Sequence, residues 1–277
     1  MSKFKSRVRF SVLAASTLAV MVAPSPQSFA GSLPERVQAV YDIHFNGFHI
    51  GTYEFRSQLE GSSYQLQGNA NLSLLLGAIQ WSGAIQSSGR LAGDNTRPSA
   101  FNFEYTSTLK SGSTRMAFSG DQVTQVLHQP PSPVADNTVP VQPQHLKGVM
   151  DPMTAVLAMA RGDGDPCSRR LPIYDGKQRF DLVLSPKGQV RIGENAGATG
   201  VACRVRYIPI AGHKADKDTQ HLSQSNGIEV VMTRVDGAPL HIPYKVTIPT
   251  SAGPATLTSK RVVLTQHGQQ RLAFAQQ

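Results

Sequence analysis

The sequence predicts an all-β protein with one short helix, built as a strongly curved antiparallel meander that forms an open barrel or a β-spiral. Three observations carry this. Alternation of apolar and polar residues with period two runs along nearly the whole chain, and helical periodicity is confined to one stretch. Turn signals of the Asn-Gly, Gly-Asp and Asp-Gly kind separate the alternating runs at hairpin spacing. Consecutive runs are joined by short turns, which favours antiparallel neighbours over crossover connections.

The chain opens with an export signal over residues 1–30. Lys3, Lys5, Arg7 and Arg9 form its positive start, Phe10 to Ala23 its apolar run, and Ser28-Phe29-Ala30 a small-x-small cleavage site after Pro24 and Pro26. The apolar run is short for a membrane span, and no later stretch is apolar enough to cross a bilayer as a helix. The expected mature protein is a single β-rich domain, 31–277, that folds outside the cytoplasm.

The first strand covers Val37 to Phe45, with Val37, Ala39, Tyr41, Ile43 and Phe45 on one face. Asn46-Gly47 turns it, because both central positions of a type I′ turn need positive φ. The return strand runs Phe48 to Leu59, and Gly51 interrupts its alternation as a bulge or a close backbone approach. Further strands read at 63–71, 78–91, 100–109, 114–119 and 122–128. The Pro-rich run 130–143 then withholds the backbone donors that a sheet needs and reads as an extended surface connection.

One helix follows. Asp151 caps it, Pro152 suits its first turn, and Gly162 ends it. Met153, Val156, Leu157 and Ala160 make one apolar stripe, which suits a helix that plugs an end or the interior of the curled sheet. Strands resume at 171–174 and 178–184, joined by Asp175-Gly176-Lys177, and continue at 190–192 after a turn at Pro186-Lys187-Gly188, then at 201–210, 228–235, 241–248 and 255–265. Pro239, Pro243 and Pro249 bracket the strand 241–248 and place it near an edge.

Charge is uneven. Residues 31–145 hold six Lys/Arg and eight Asp/Glu, whereas 146–277 hold 17 and 10. The cationic C-terminal half suits an anionic envelope partner or a solubilising surface. Nucleic acid is excluded by compartment. Cys167 and Cys203 are the only cysteines, and an isolated pair in an oxidising compartment reads as a structural disulfide, with two separate buried thiols as the alternative.

Candidate chemistry is sparse. Ser107-Thr108-Leu109-Lys110 matches S-x-x-K and Lys110-Ser111-Gly112 matches K-[ST]-G, but they overlap and cannot converge on one substrate as separate elements. His213, Asp216, Asp218 and His221 crowd one loop without zinc or calcium spacing, and Lys214 and Lys217 among them repel a cation. That loop reads as a solvated turn. His44 and His49 flank the first turn with no carboxylate placed to orient them. Arg169, Arg170, Lys177, Arg179, Arg204 and Arg206, with Lys187 and Arg191 beside them, fall on neighbouring strands and turns; they read as an anion or partner patch, or as a solvated face in which Asp175 and Asp181 neutralise part of the charge. The apolar stretch 68–81, with Trp81, reads as ordinary core or as the lip of a hydrophobic cavity. No residue set points to a catalytic centre, a metal or a cofactor.

Four pieces together carry a family resemblance: Tyr41-Asp42 with Gly51 on the partner strand, Asp151-Pro152-Met153-Thr154-Ala155, Tyr174-Asp175-Gly176-Lys177-Gln178-Arg179-Phe180-Asp181, and Cys203 ahead of Tyr207. The chain resembles the exported bacterial proteins of domain-of-unknown-function family 3108 over most of its mature length. It is also similar in plan to periplasmic β-spiral proteins implicated in envelope integrity. The resemblance implies a β-rich periplasmic protein of the cell envelope and assigns no activity. The expected function is therefore non-enzymatic binding in support of the envelope. The ligand would be a lipid-like molecule, a wall polymer or an envelope protein, and peripheral membrane contact is compatible with this. The alternative is a hydrolase acting on wall or lipid substrates.

Overall fold

The computed structural model describes residue 1 and residues 32–131, 136–193 and 198–275. The export segment expected at 1–30 lies, apart from Met1, outside the described residues.

Fourteen strands form one antiparallel sheet. The first seven are β1 (Arg36–Phe45), β2 (Phe48–Glu60), β3 (Ser63–Leu74), β4 (Ile79–Ala92), β5 (Asn95–Ser107), β6 (Ser111–Ser119) and β7 (Gln122–Gln129). Helix α1 (Pro152–Ala160) follows, then β8 (Arg170–Tyr174), β9 (Arg179–Arg191), β10 (Thr199–Ala211), helix α2 (Lys217–Gln224), β11 (Glu229–Arg234), β12 (His241–Thr250), β13 (Gly253–Gln266) and β14 (Gln269–Ala275). The order across the sheet is β7-β6-β5-β4-β3-β2-β1-β13-β12-β11-β10-β9-β8, with β14 paired to β13 off this path. Two meanders are thus joined by the pairing of β1 with β13, from Arg36 opposite Thr265 to Phe45 opposite Ala255. The sheet does not close, and β7 and β8 remain its edges.

The gap between those edges is bridged by main chain. Gly148 N–H donates to Asp121 O at 2.7 Å beside β7, and Met150 N–H donates to Pro172 O at 3.0 Å on β8. Tyr174 N–H returns a bond to Met150 O at 2.9 Å. An open sheet edge invites pairing with other chains, and this strap occupies Asp121 O just before β7 and Pro172 O and Tyr174 N–H on β8.

Helix α1 lies inside the curl, with Met153, Thr154, Ala155, Leu157 and Ala160 buried. Its N-cap, Asp151, accepts from Met153 N–H and Thr154 N–H, as the D-P start predicts. Val37, Ala39 and Tyr41 of β1 pack with Leu240, Ile242, Val262 and Leu264, so the seam between the meanders is also core. Gly51 is required by close approach: a Cβ there would stand 1.9 Å from Asn71 O on β3.

Four expectations need correction. The loop around His213 and His221 contains α2, capped by the Asp216 side chain accepting from Thr219 N–H at 2.9 Å, so it is not wholly a turn. Pro186-Lys187-Gly188 is no turn between strands; β9 runs through it, and the register slips there because Ala202 faces Gly188 while Cys203 faces Pro186. Strand β12 is interior, between β11 and β13. Pro243 sits where its register slips, and its carbonyl accepts from Tyr41 Oη at 3.0 Å, so the ring interrupts little pairing. Finally, β14 extends the sheet past the expected end; His267 and Gly268, with φ of 52° and 72°, form a primed turn that the Gln-rich flanks obscured.

Candidate functional site

Strands β1, β3 and β5 all end at one rim of the curled sheet, and their turns at 46–47, 75–78 and 108–110 stand side by side. Between them opens a cavity of about 1130 Å³. Its apolar wall comes from Phe45, Phe48, Ile50, Leu72, Leu74 and Trp81, and its polar margin includes His49, Asn71 and Ser82. Trp81 fits because Gly83 leaves the space: a Cβ there would lie 2.3 Å from the indole ring. The apolar stretch 68–81 therefore supplies part of the wall, and residues far away in sequence supply the rest.

The tips around this mouth are apolar and wet. Phe48 is 76% exposed, Leu75 73% and Leu109 86%. Leu75 also adopts a left-handed backbone, φ 51°, a conformation unfavourable for a branched side chain. Exposed apolar groups gathered at one rim mark a contact surface, where scattered ones would need no explanation.

His44 and His49 face each other across the β1–β2 ladder with ring centroids 5.3 Å apart. Contrary to the sequence reading, a carboxylate is nearby: Asp42 Oδ1 lies 3.6 Å from His49 Nε2 and 3.7 Å from Lys260 Nζ. Asp42 shares a face of β1 with His44 by period two, and His44 stands opposite His49, so the strand pattern itself places this carboxylate beside the ring. Neither ring makes a hydrogen bond to a serine or threonine hydroxyl among the described residues, so no charge-relay geometry forms there. No group of three or more His, Cys, Asp or Glu side chains suited to a metal occurs among the described residues, the loop of His213, Asp216, Asp218 and His221 included.

Below the mouth, helix α1 is tied to the sheet by a buried polar network. Asp151 Oδ2 accepts from Thr154 Oγ1 at 2.6 Å and from Ser87 Oγ at 2.9 Å. Tyr64 Oη lies 2.8 Å from Thr154 Oγ1, whose proton goes to Asp151, so the tyrosine donates. Burial pushes the Asp151 carboxyl above its ordinary range, and the hydrogen bonds from Thr154, Ser87 and the backbone pull it partly back. Every lone pair that matters is occupied, and the group is sealed from solvent. It is a fastening for the helix.

The predicted cationic set does not gather into one open patch. Arg169 turns toward the end of α1 and donates to Ala158 O at 3.0 Å and to Arg161 O. Arg170 and Arg179 both bind the buried Asp181 carboxylate, Arg170 through Nε at 2.7 Å. Lys177 sits in the β8–β9 turn, beside a second, more polar hollow of about 850 Å³ shared with Lys214 and Tyr207. Lys187 pairs with Glu229. Arg204 and Arg206 share the exposed face of β10, as period two predicts, with Cys203 and Val205 buried on the opposite face. Cys167 and Cys203 are joined as a disulfide, both fully buried, which ties the segment after α1 to the middle of β10.

A family model described as "Protein of unknown function (DUF3108)" matches residues 40–260. The chain belongs to this family. The matched span contains the mouth, the Asp151 network and both cysteines. No curated protein matches the chain. Among solved structures, a β-barrel-like protein of domain of unknown function DUF1849 from Brucella abortus is similar at TM-score 0.49 and 8% identity, covering 86% of this chain and 100% of its own.

Proposed function

We propose that this is a non-enzymatic binding protein of the bacterial cell envelope, working in the periplasm after export, and that it takes a lipid-like ligand in the mouth of the curled sheet. The observation that carries the reading is the cavity of about 1130 Å³, walled by Phe45, Ile50, Leu72, Leu74 and Trp81 and ringed by the exposed Phe48, Leu75 and Leu109. A space of this size lies just above the range of ordinary small-molecule sites, about 300–1,000 Å³, and an apolar wall with a thin polar margin suits an acyl chain with a polar end. Burying such a chain contributes about 0.8 kcal/mol per methylene, which needs no charged anchor inside the wall. A wall polymer is a poorer fit, since sugars need convergent hydrogen-bonding groups. Contact of the three apolar tips with a membrane surface would deliver the ligand.

Native mass spectrometry of the purified protein tests this. The expected result is a co-purified lipid mass that is lost when Leu72→Asp and Leu74→Asp charge the wall. Apo protein throughout, with no uptake of added fatty acid or lysophospholipid, would count against it.

The hydrolase reading draws on one observation, the approach of Asp42 to His49 at the cavity margin. Ester hydrolysis that disappears in His49→Ala while lipid binding persists would favour it.

A further inference from the structure

At the opposite rim, where α1 leaves the sheet, two guanidinium groups meet in a hollow of about 530 Å³. Arg161 is the residue that ends α1, and Arg169 lies two positions after Cys167. Arg161 Nη2 donates to Gly93 O at 2.9 Å in the β4–β5 turn. Arg169 uses both terminal nitrogens on the carbonyls of Ala158 and Arg161. Three nitrogens are then left over: Arg161 Nε, Arg161 Nη1 and Arg169 Nε are buried and have no hydrogen-bond partner among the described residues.

Buried donors on a cation are costly to leave unmade, and native proteins rarely do so without a reason. The two groups also repel each other. Burial pushes the Arg161 guanidinium down from its ordinary value, Asp94 pulls it back up, and Arg169 pushes it further down. Two carboxylates line the same hollow, Asp94 and Asp163. Asp163 is engaged by Arg234 at 2.9 Å, and Asp94 makes no ion pair with Arg161 among the described residues. The main-chain bonds hold the arginines in place, and the spare nitrogens are covered, so a ligand in the hollow reaches them only when the side chains lining it shift.

We infer that this hollow binds a phosphate group, free or carried on a lipid headgroup, through Arg161 and Arg169. A tetrahedral oxyanion presents several acceptor oxygens at once, which answers three donors from two cations better than a single carbonyl does. The site lies at the rim away from the apolar mouth, so it stands or falls independently of lipid uptake there.

The test is calorimetric titration of the purified protein with inorganic phosphate at constant ionic strength. A parallel arm uses flotation with phosphatidylcholine vesicles, with and without phosphatidylglycerol. The expected result is saturable one-to-one binding in at least one arm. Arg161→Gln should weaken it by about tenfold or more, the loss of one charge-assisted interaction. Asp94→Asn, which removes a competing carboxylate, should strengthen it. Binding of inorganic phosphate would identify the free ion, and binding confined to phosphatidylglycerol vesicles would identify the headgroup. Absence of saturable binding in both arms would overturn the inference, as would binding indifferent to both substitutions. If Arg161→Gln does not fold, the gain or its absence in Asp94→Asn decides. A fall in melting temperature of Asp94→Asn, without any gain in affinity, would show that Asp94 itself serves as the partner of Arg161.

Discussion

The two meanders share a sheet but differ in how they are held. The C-terminal one, β8 to β13, is cross-linked. Cys203 of β10 is bonded to Cys167, Asp181 joins Arg170 to Arg179, and Cys203, Val205, Val230 and Met232 form a dry cluster under α1. The N-terminal one, β1 to β7, is buried at the seam through Val37, Ala39 and Tyr41, under α1 through Tyr64 and Leu66, and on β5–β7 through Phe101, Met116 and Val123, and it flares at the far rim into exposed Phe48, Leu75 and Leu109. The contrast teaches a division of labour: one meander is a braced scaffold, and the other is shaped around an opening. Helix α1 packs on both and is fastened to the N-terminal one through Ser87 and Tyr64.

The largest expected effect breaks the brace. Replacing both cysteines by serine opens a loop with a sequence separation of 36. The loss should be about 3–4 kcal/mol in urea unfolding, with ligand uptake at the mouth retained in the fraction that stays folded. If uptake disappears together with the bridge, the two meanders are not separable in function. Next is the fastening. Asp151→Ala removes a cap and strands the Ser87 and Thr154 hydroxyls, and should cost about 3 kcal/mol. If it costs nothing, α1 is held by its apolar face alone.

A pH series sharpens the same point. The folded-state pKa of Asp151 is raised above its unfolded value by burial. Its contribution to stability is therefore fully present below the unfolded value of about 4 and is lost as pH rises through the folded value. The stability gap between wild type and Asp151→Asn should thus be widest in acid and narrow toward neutral pH; a gap that widens instead would reverse the assignment. The smallest effect belongs to the opening. Phe48→Ser with Leu109→Ser should change stability by no more than about 0.5 kcal/mol, because both side chains already face water, yet should lower vesicle association measured by flotation. A large loss of stability would make these tips part of the core.

Much of this architecture was legible because local chemistry and fold agree. Asn46-Gly47, Gly51, the Asp151-Pro152 start and the cysteine pair each act over a few residues or through a covalent bond. What was not legible depends on register. The slip at Pro243 lets a proline sit inside the sheet, and the slip at Pro186 carries β9 through residues that read as a turn. The cavity was half visible in the stretch 68–81, but Phe45, Phe48 and Ile50 join it only through strand pairing. The cationic set shows the same limit. Its members were read as one group because they fall on neighbouring strands and turns, whereas Arg169 turns to the end of α1 and meets Arg161, which no strand pattern connects to it.

Trp81 is the only tryptophan in the chain and stands in the cavity wall, so it reports on the mouth directly. Titration with a fatty acid brominated along its chain, read as tryptophan fluorescence, is the decisive measurement. Saturable quenching, absent for bromide ion alone and lost in Leu72→Asp with Leu74→Asp, is the result that lipid binding at the mouth requires. Emission unchanged up to the micelle limit, or equal quenching by bromide, would contradict it.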